Sequence, residues 1–538
     1  MYDRWLTPRP QRVDNGVMTG RTPLPRRVEV LAGLSVAIDL GLGQPAEHML
    51  RSAVIACRLC DRLGLDRTQR ATTYYATLLM WIGCHADSQE YARWFGDDIA
   101  VRSDAYLVDW SGIPYFRFLL GNVGRGEPVG HRVKTLATLF RDARGQIATL
   151  VHSHCMSAAA LARHIGLGPD VERVIAYTYE RFDGGGLPRG AAGEDIPIEM
   201  RVAQLADMVE VHQRAYGVDG AVAMARSRRG GQFDPTIVDA FVADPDAVLS
   251  PGDDDPWGCA MSLAPETEIA LDDAGLDALV TAIGDFGDLK CPFALGHSRG
   301  VATIVDTAAR HLGMSMVEVD TARRAAHLHD VGRIGVSSQI WSKPGELSGA
   351  EWERVRMHPY LTDRVLMRIP GFGDIAAIAR AHHEHLDGTG YPLGLGGAAL
   401  GRAQRLLTVA VAYQSALEPR PYRDAYPAER AASRIRERAD RGVLDGECVE
   451  AVLVAAGHKR ARVRRDDTLT PRETEILGLV ARGMSNREIA ARLVLSEKTV
   501  RNHVERTYTK IGAANRVGAS LYALEHGLVA PVAEDTSG

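Results

Sequence analysis

The stretch "HMLRSAVIACRLCDRLGLDRTQRATTYYATLLMWIG" at residues 48–83 lies without a gap over "HSRGVATIVDTAARHLGMSMVEVDTARRAAHLHDVG" at 297–332, a separation of 249. His48, Ala53, Ile55, Leu63, Gly64, Thr72, Ala76, Leu79 and Gly83 meet identical residues. Farther along the separation becomes 204: His154 falls on His358, "ERFDGGGLP" on "EHLDGTGYP", and Asp207 on Val411. Two separations kept at distant places point to a duplicated unit, with 45 extra residues in the first copy between about Asp87 and Leu150. A chain of 538 residues containing such a duplication is expected to form several domains rather than one core.

Both copies have helical periodicity. Val301, Ile304, Val305, Ala308 and Leu312 recur at spacings of three and four, and few runs alternate with period two, so the chain is expected to be all-α. "SPGDDDPWG", between the copies, has the proline, glycine and acid content of a linker. Hydrophobic residues make up 46% and charged residues 24%, with mean hydropathy -0.13, as in soluble globular proteins. No apolar run approaches the roughly 18 residues needed to cross a bilayer. No apolar stretch follows the charged start "MYDRWLTPRPQRVDNG". The expectation is therefore a cytoplasmic protein without a signal peptide or membrane partner. Seven cysteines, an odd number, argue against a disulfide framework. Cys57 and Cys60 form a C-x-x-C inside a helical pattern with no second pair to complete a zinc site.

The second copy gathers the chemistry-bearing residues. "RAAHLHDVGRIGV" holds His329 and Asp330, "MHPYLTDRVL" holds His358, "ARAHHEHLDGTGYPLGL" holds His382 and His383, and His297 lies upstream. Imidazole and carboxylate ligands on separate helices suit divalent iron, manganese or zinc. An adjacent His-Asp pair can offer a nitrogen and a bridging oxygen to two metals, which together activate water beside a phosphoryl group.

"HLHDVGRIGV", "WSKPGEL", "HHEHLDGTGYPLGL" and "EPRPYR" resemble the HD-GYP subgroup of HD-domain phosphohydrolases over roughly residues 290–455. The resemblance implies all-helical HD-superfamily bundles, a bi- or trinuclear metal centre and hydrolysis of cyclic di-GMP. It places His297, His329, Asp330, His358, His382 and His383 at metal-ligand positions, with Asp330 and Arg333 in the catalytic role. Two departures stand out. Arg333 replaces the lysine that usually follows the HD pair, exchanging a compact ammonium for a planar fork. Val411 and Gln414 replace the two aspartates of the pattern "ADxYDAL", the first of them a metal ligand, which weakens the expected metal affinity.

In the first copy Met80 and Trp81 replace the HD pair, and Thr178 and Tyr179 replace the histidine pair. Only His48, His154 and Asp207 remain at ligand positions, so this copy is expected to be non-catalytic. It is expected to serve packing, dimerisation or sensing. Trp94, Trp110, Phe116 and Phe118 of the extra segment are available either to line a pocket or to fill a core.

From Gly457 onward there are 14 Lys/Arg and 10 Asp/Glu, an excess of +4 in a chain of net charge -5. "LTPRETEILGLVARGMSNREIAARLVLSEKTVRNHVERTYTKIG" carries capping boxes at Thr470/Glu473 and Ser485/Glu488. A further helix starts at Ser496, with Val500, Val504, Tyr508 and Ile511 on its inner stripe. The pattern is a helix-turn-helix. It resembles the LuxR-type four-helix DNA-binding domain from Leu469 to about Val529. The resemblance implies double-stranded DNA as partner, with Lys498, Thr499, Arg501, Asn502 and His503 on the recognition helix. Arg506 shares its exposed face, and Arg487 and Lys510 are expected at phosphates. The preceding "HKRARVRR" reads as a basic arm or a solvated linker.

The expected order is a tail (1–27), a degenerate HD-GYP-like domain (28–248), a linker (249–270), an HD-GYP-like domain (271–458), a basic linker (459–467), a LuxR-type reader (468–530) and a tail (531–538). The expected function is that of a dimeric transcriptional regulator whose HD-GYP-like region binds metal or a cyclic dinucleotide as a sensor, with residual phosphohydrolase activity. The alternative is an active, metal-dependent cyclic di-GMP phosphodiesterase with a DNA-binding domain attached.

Overall fold

The computed structural model describes residues 24–85, 87–125, 128–141, 143–249, 255–265, 271–458 and 469–511, and beyond these 513, 516, 519, 522, 523 and 528. The basic linker, the C-terminal tail and all but the last four residues of the N-terminal tail lie outside the described residues, as does most of "HKRARVRR". Among the described residues every regular element is a helix, as the periodicity predicts; the strand-like pairings are two isolated bridges, Arg229 with Phe233 and Arg420 with Arg423. The chain divides into two compact units, residues 1–458 and 459–538.

In the first unit the duplication is visible element by element. His48–Leu63, Arg67–Leu79, the 3-10 turn Ile82–His85 and the long helix Ile198–Ser227 of the first copy correspond to His297–His311, Met316–Leu328, Val331–Gly335 and Arg402–Leu417 of the second. Each set follows an entry helix, Arg27–Leu42 or Asp273–Asp288, which supplies a buried aspartate. Asp39 accepts the backbone N–H groups of His48 and Met49 at 3.0 and 3.1 Å. Asp288 accepts the N–H and Oγ–H of Ser298 at 3.0 and 2.8 Å. The first turn of each histidine-bearing helix is thus capped from the end of the entry helix before it, satisfying N–H groups a helix start cannot pair internally.

A glycine shared by the copies explains how the next turn fits. A Cβ on Gly332 would stand 2.1 Å from the carbonyl oxygen of His358, and one on Gly83 2.3 Å from that of His154. Only glycine lets the 3-10 turn approach these histidines so closely.

The copies do not have separate cores. One apolar cluster joins Leu31, Leu50, Leu79 and Val209 of the first copy to Leu276, Phe286, Leu328, Ile334, Leu366 and Phe372 of the second. A second cluster, with Val301, Val305, Leu406, Tyr413 and Val452, belongs to the second copy alone. The segment between the copies takes part as well: Pro256–Ser262 is helical, Ala260 is buried, and Tyr74 donates to the Ala260 carbonyl at 3.0 Å. Cys57 and Cys60 are buried, free thiols on the helix His48–Leu63.

The extra chain of the first copy folds as helices that include Ser88–Phe95, Asp98–Ala105 and Gly112–Asn122. Trp94 and Phe118 pack with Phe95, Val101, Leu119 and Val123 in a small core, while Phe116 is 49% exposed.

In the second unit, Pro471–Ala481, Asn486–Leu493 and Glu497–Ile511 pack on Ile476, Leu479, Val480, Ile489, Ala490 and Val500. Both capping boxes form, each contributing about 1 kcal/mol. Val494 takes a left-handed conformation, φ 54°, in the turn before the third helix. Most of residues 512–530, where the resemblance implies a fourth helix, lie outside the described residues.

Candidate metal centre and nucleic-acid interface

The six expected ligands converge. Asp330 lies at the end of the helix Met316–Leu328, in a buried position encircled by imidazoles. Its Oδ2 is 3.0 Å from His329 Nε2 and 3.5 Å from His297 Nε2; its Oδ1 is 3.4 Å from Nε2 of both His358 and His382. His383, half-buried, stacks on Tyr391 of the Gly-Tyr-Pro loop with ring centres 4.7 Å apart. Two groups of possible ligands result, His297/His329/Asp330 and His358/His382/His383, each with its ligand atoms within 4.8 Å of one another.

The hydrogen bonds fix which nitrogen faces inward. His329, His358 and His382 direct Nδ1 to the carbonyl three residues earlier, at 2.7, 2.6 and 2.6 Å. His297 Nδ1 meets both oxygens of Glu418 at 2.9 Å. A neutral imidazole whose Nδ1–H is used this way presents a bare lone pair at Nε2. Nε2 of His358 and Nε2 of His382 face each other at 3.0 Å. His297 Nε2, His329 Nε2 and both Asp330 oxygens are buried without hydrogen-bond partners among the described residues. Converging imidazole lone pairs with no hydrogen-bond partner are costly in a protein interior, and divalent cations resolve that cost. The donor set therefore fits the metal centre that the resemblance implies.

The electrostatics agree. Burial pushes the pKa values of His297, His358 and His383 down, and that of His382 to about 3, keeping these rings neutral and able to ligate at pH 7. Burial alone would raise Asp330, but the Arg333 guanidinium beside it holds it well below the usual carboxylate range. Arg333 NH2 approaches Asp330 Oδ2 at 2.9 Å, its guanidinium lies 5.1 Å from the Trp341 ring centre, and its Nε is unpaired.

Several supporting residues lie inside the quoted stretches "EPRPYR" and "HHEHLDGTGYPLGL", but sequence reasoning assigns them no role. Glu418 orients His297 and also accepts from Gln414 Nε2 and Arg420 NH2, both at 2.9 Å. Gln414, where the pattern has its second aspartate, is thus a donor to the residue behind a ligand. Glu384, buried beside the histidine pair, receives the N–H groups of Leu393 and Leu395 at 2.7 and 2.8 Å and closes the Gly-Tyr-Pro loop. Glu180 binds Arg189 and Ala191 in the same way at 2.8 and 3.0 Å. The separation of 204 pairs these glutamates, which open the two aligned stretches "ERFDGGGLP" and "EHLDGTGYP".

Val411 is buried in the apolar core of the second copy and contributes no ligand atom. It also borders a cavity of about 230 Å³ lined by His382, His383, Arg423, Tyr426, Arg434 and Arg438.

The equivalent place in the first copy has been filled. Trp81 packs against Tyr106, Trp110, His154 and Tyr179 at 5.3–6.1 Å between ring centres, and its Nε1–H donates to Asp207 Oδ2 at 3.1 Å. Trp110 of the extra segment thus fills a core rather than lining a ligand pocket. His48 lies between Asp207 and Glu210, at 2.9 and 2.5 Å. Burial would lower its pKa, but the two carboxylates raise it to about 9. The ring is an imidazolium in a closed ion cluster, and no lone pair is left for a metal.

In the second unit Lys498, Arg501, Asn502 and Arg506 are exposed along Glu497–Ile511, and Thr499 and His503 are half-buried on the same helix. Arg487 is exposed on the helix before it. Lys510 differs from these: its Nζ pairs with Glu473 Oε2 at 2.7 Å, inside the first capping box.

An HD domain family matches residues 144–237 and 285–448, and the family of bacterial regulatory proteins, luxR family, matches residues 467–523. The chain is 32% identical over 432 residues to a 3'3'-cGAMP-specific phosphodiesterase 3 of Vibrio cholerae serotype O1 (strain ATCC 39315 / El Tor Inaba N16961), covering 79% of this chain and 94% of that one. It is 34% identical over 152 residues to the cyclic di-GMP phosphodiesterase response regulator RpfG of Xanthomonas campestris pv. campestris (strain 8004), covering 28% of this chain and 40% of that one. A crystal structure of a cyclic GMP-AMP specific phosphodiesterase of V. cholerae superposes with a TM-score of 0.56 at 28% identity, over 81% of this chain and 98% of that one.

Proposed function

We propose that this chain, which belongs to the HD-GYP family of HD-domain proteins and carries a luxR-family domain toward its C-terminus, is a metal-dependent phosphodiesterase of cyclic dinucleotides joined to a DNA-binding reader. The observation that carries this reading is the convergence of four inward-facing imidazole nitrogens on the buried Asp330 carboxylate, where among the described residues His297 Nε2 and His329 Nε2 have no hydrogen-bond partner. Residues 271–458 are the phosphodiesterase domain, 28–248 its degenerate copy and 468–530 the reader, which binds double-stranded DNA as a dimer. Such partners support a cytoplasmic location; among the described residues no helix is long and apolar enough to cross a membrane.

His297, His329, Asp330, His358, His382 and His383 would hold divalent iron, manganese or zinc. When bound, the ions supply an activated water and neutralise phosphoryl charge. The protein's own contribution is preorganisation. Backbone carbonyls and Glu418 fix the ring orientations, the shared core excludes water from one side, and Arg333 offers a guanidinium fork where negative charge collects on a phosphodiester. Glu384 holds the loop that carries Tyr391 against His383.

Val411 favours a second reading, a sensor that binds metal or nucleotide without turnover, because one carboxylate of the family pattern is gone. Purified full-length protein, loaded separately with iron, manganese and zinc, separates the two in assays of 3'3'-cGAMP and cyclic di-GMP hydrolysis. Turnover that disappears in His329→Ala and Asp330→Ala supports the phosphodiesterase. No turnover at any loading, together with nucleotide-dependent DNA affinity, supports the sensor.

A further inference from the structure

The first copy reaches into the second through one fully buried carboxylate. Asp98, in the extra segment that the second copy lacks, pairs through Oδ2 with Lys290 Nζ at 2.6 Å, both side chains being inaccessible to solvent. Its Oδ1 accepts the Ser337 Oγ–H at 2.9 Å and the Ser338 N–H at 2.8 Å. Two further bonds cross the same surface, Gln89 Nε2 donating to the Lys290 carbonyl at 3.2 Å and Ser342 Oγ to Gln89 Oε1 at 2.7 Å, and within the second copy Ser338 Oγ also donates to the Lys290 carbonyl at 3.2 Å.

What this clamp holds is the short turn Ser338–Trp341. Trp341 at its end donates Nε1–H to the Arg333 carbonyl at 3.3 Å, lies under the Arg333 guanidinium, and meets the edge of His358 with ring centres 5.7 Å apart. Arg333 and His358 are both in contact with Asp330. A continuous line of polar and stacking contacts therefore runs from Asp98 to the carboxylate at the centre of the metal site. An apolar contact could join the copies equally well, but it would leave the register of the turn free. A buried pair that also caps backbone N–H groups admits one register.

We infer that Asp98 is a positioning residue for the site of the second copy, and that the ligand-free first copy has been retained to hold Trp341 beneath Arg333. The inference rests on the phosphodiesterase reading for its kinetic arm only.

Two double variants test it, both free of an orphaned buried charge. Asp98→Asn/Lys290→Met keeps an acceptor for Ser337 and Ser338, whereas Asp98→Ala/Lys290→Met removes it. In the full-length protein, backbone hydrogen exchange across 331–342 is expected to be near wild type in the Asn/Met variant and at least tenfold faster in the Ala/Met variant, with exchange in 48–79 unchanged. Where the wild type hydrolyses a cyclic dinucleotide, kcat of the Ala/Met variant is expected to fall about tenfold below that of the Asn/Met variant, with KM within twofold and equal metal content. Equal exchange at 331–342 in the two variants, or acceleration spread evenly over both copies, overturns the inference. Absence of turnover in the wild type overturns the phosphodiesterase reading and leaves the exchange comparison to decide this one.

Discussion

Asp207 meets the Nε2–H of His48 at 2.9 Å, in the position that Val411 occupies in the second copy. The two copies have lost complementary parts of one ancestral arrangement. The first kept the carboxylate but closed it into an ion cluster with His48 and a hydrogen bond with Trp81; the second kept its imidazoles and replaced the carboxylate with a buried valine.

Val411→Asp restores a carboxylate to the intact set of histidines. Metal affinity, measured by competition with a chelator, is expected to rise about tenfold or more. In metal-free protein the same change buries an uncompensated charge and is expected to lower the unfolding midpoint by roughly 5 °C. A midpoint lowered equally with and without metal would show that the new carboxylate does not reach the site.

Stability should depend on pH through His48. Its pKa is raised in the folded state from 6.5 to about 9 by Glu210 and Asp207 against the opposing effect of burial. A raised folded pKa stabilises fully below the unfolded value and is lost as pH climbs through the folded one. The unfolding midpoint is therefore expected to decline between pH 6.5 and pH 9.5, and His48→Asn to flatten that decline while lowering the midpoint at pH 6.5. A slope unchanged in His48→Asn would assign the dependence to other groups.

Arg333 approaches Asp330 yet supplies no ligand atom, so its loss should separate binding of metal from chemistry. Arg333→Ala is expected to retain metal stoichiometry while reducing turnover about a hundredfold, the scale of removing one preorganised charge donor. Metal analysis beside initial rates checks this; loss of metal in the variant would instead make Arg333 a support for Asp330.

In the reader, exposed side chains and Lys510 should behave differently. Arg501→Ala is expected to weaken specific DNA binding by about 1–3 kcal/mol, and Arg487→Ala to weaken all sequences alike and reduce the salt slope by about one. Lys510→Ala is expected to act first on folding, because its ammonium is engaged with Glu473 in the helix cap. Fluorescence anisotropy over a salt series, with thermal unfolding of each variant, distinguishes these outcomes.

Much of this was legible in the chain itself. The paired separations of 249 and 204 exposed the duplication, the helical period gave the class, the two capping boxes form where their spacing predicts, and the six residues singled out by the resemblance lie together. These features are local, or repeat, and so leave a trace in residue order. The roles of Glu418, Glu384 and Asp288 were not legible even though the first two lie in quoted motifs, since a glutamate behind a histidine or an aspartate capping the next helix has no spacing rule to mark its partner.

Sequence by itself determined which residue types are available for chemistry, which copy keeps the His/Asp set and where each helix begins, because those depend on side-chain identity and short-range backbone preference. Only the tertiary structure decided which nitrogen of each histidine faces Asp330, that Trp110 and Tyr179 fill the first copy's old site, and that Asp98 braces the second. Those outcomes depend on buried contacts between segments up to 240 residues apart, where desolvation makes each unpaired group costly and so selects one arrangement.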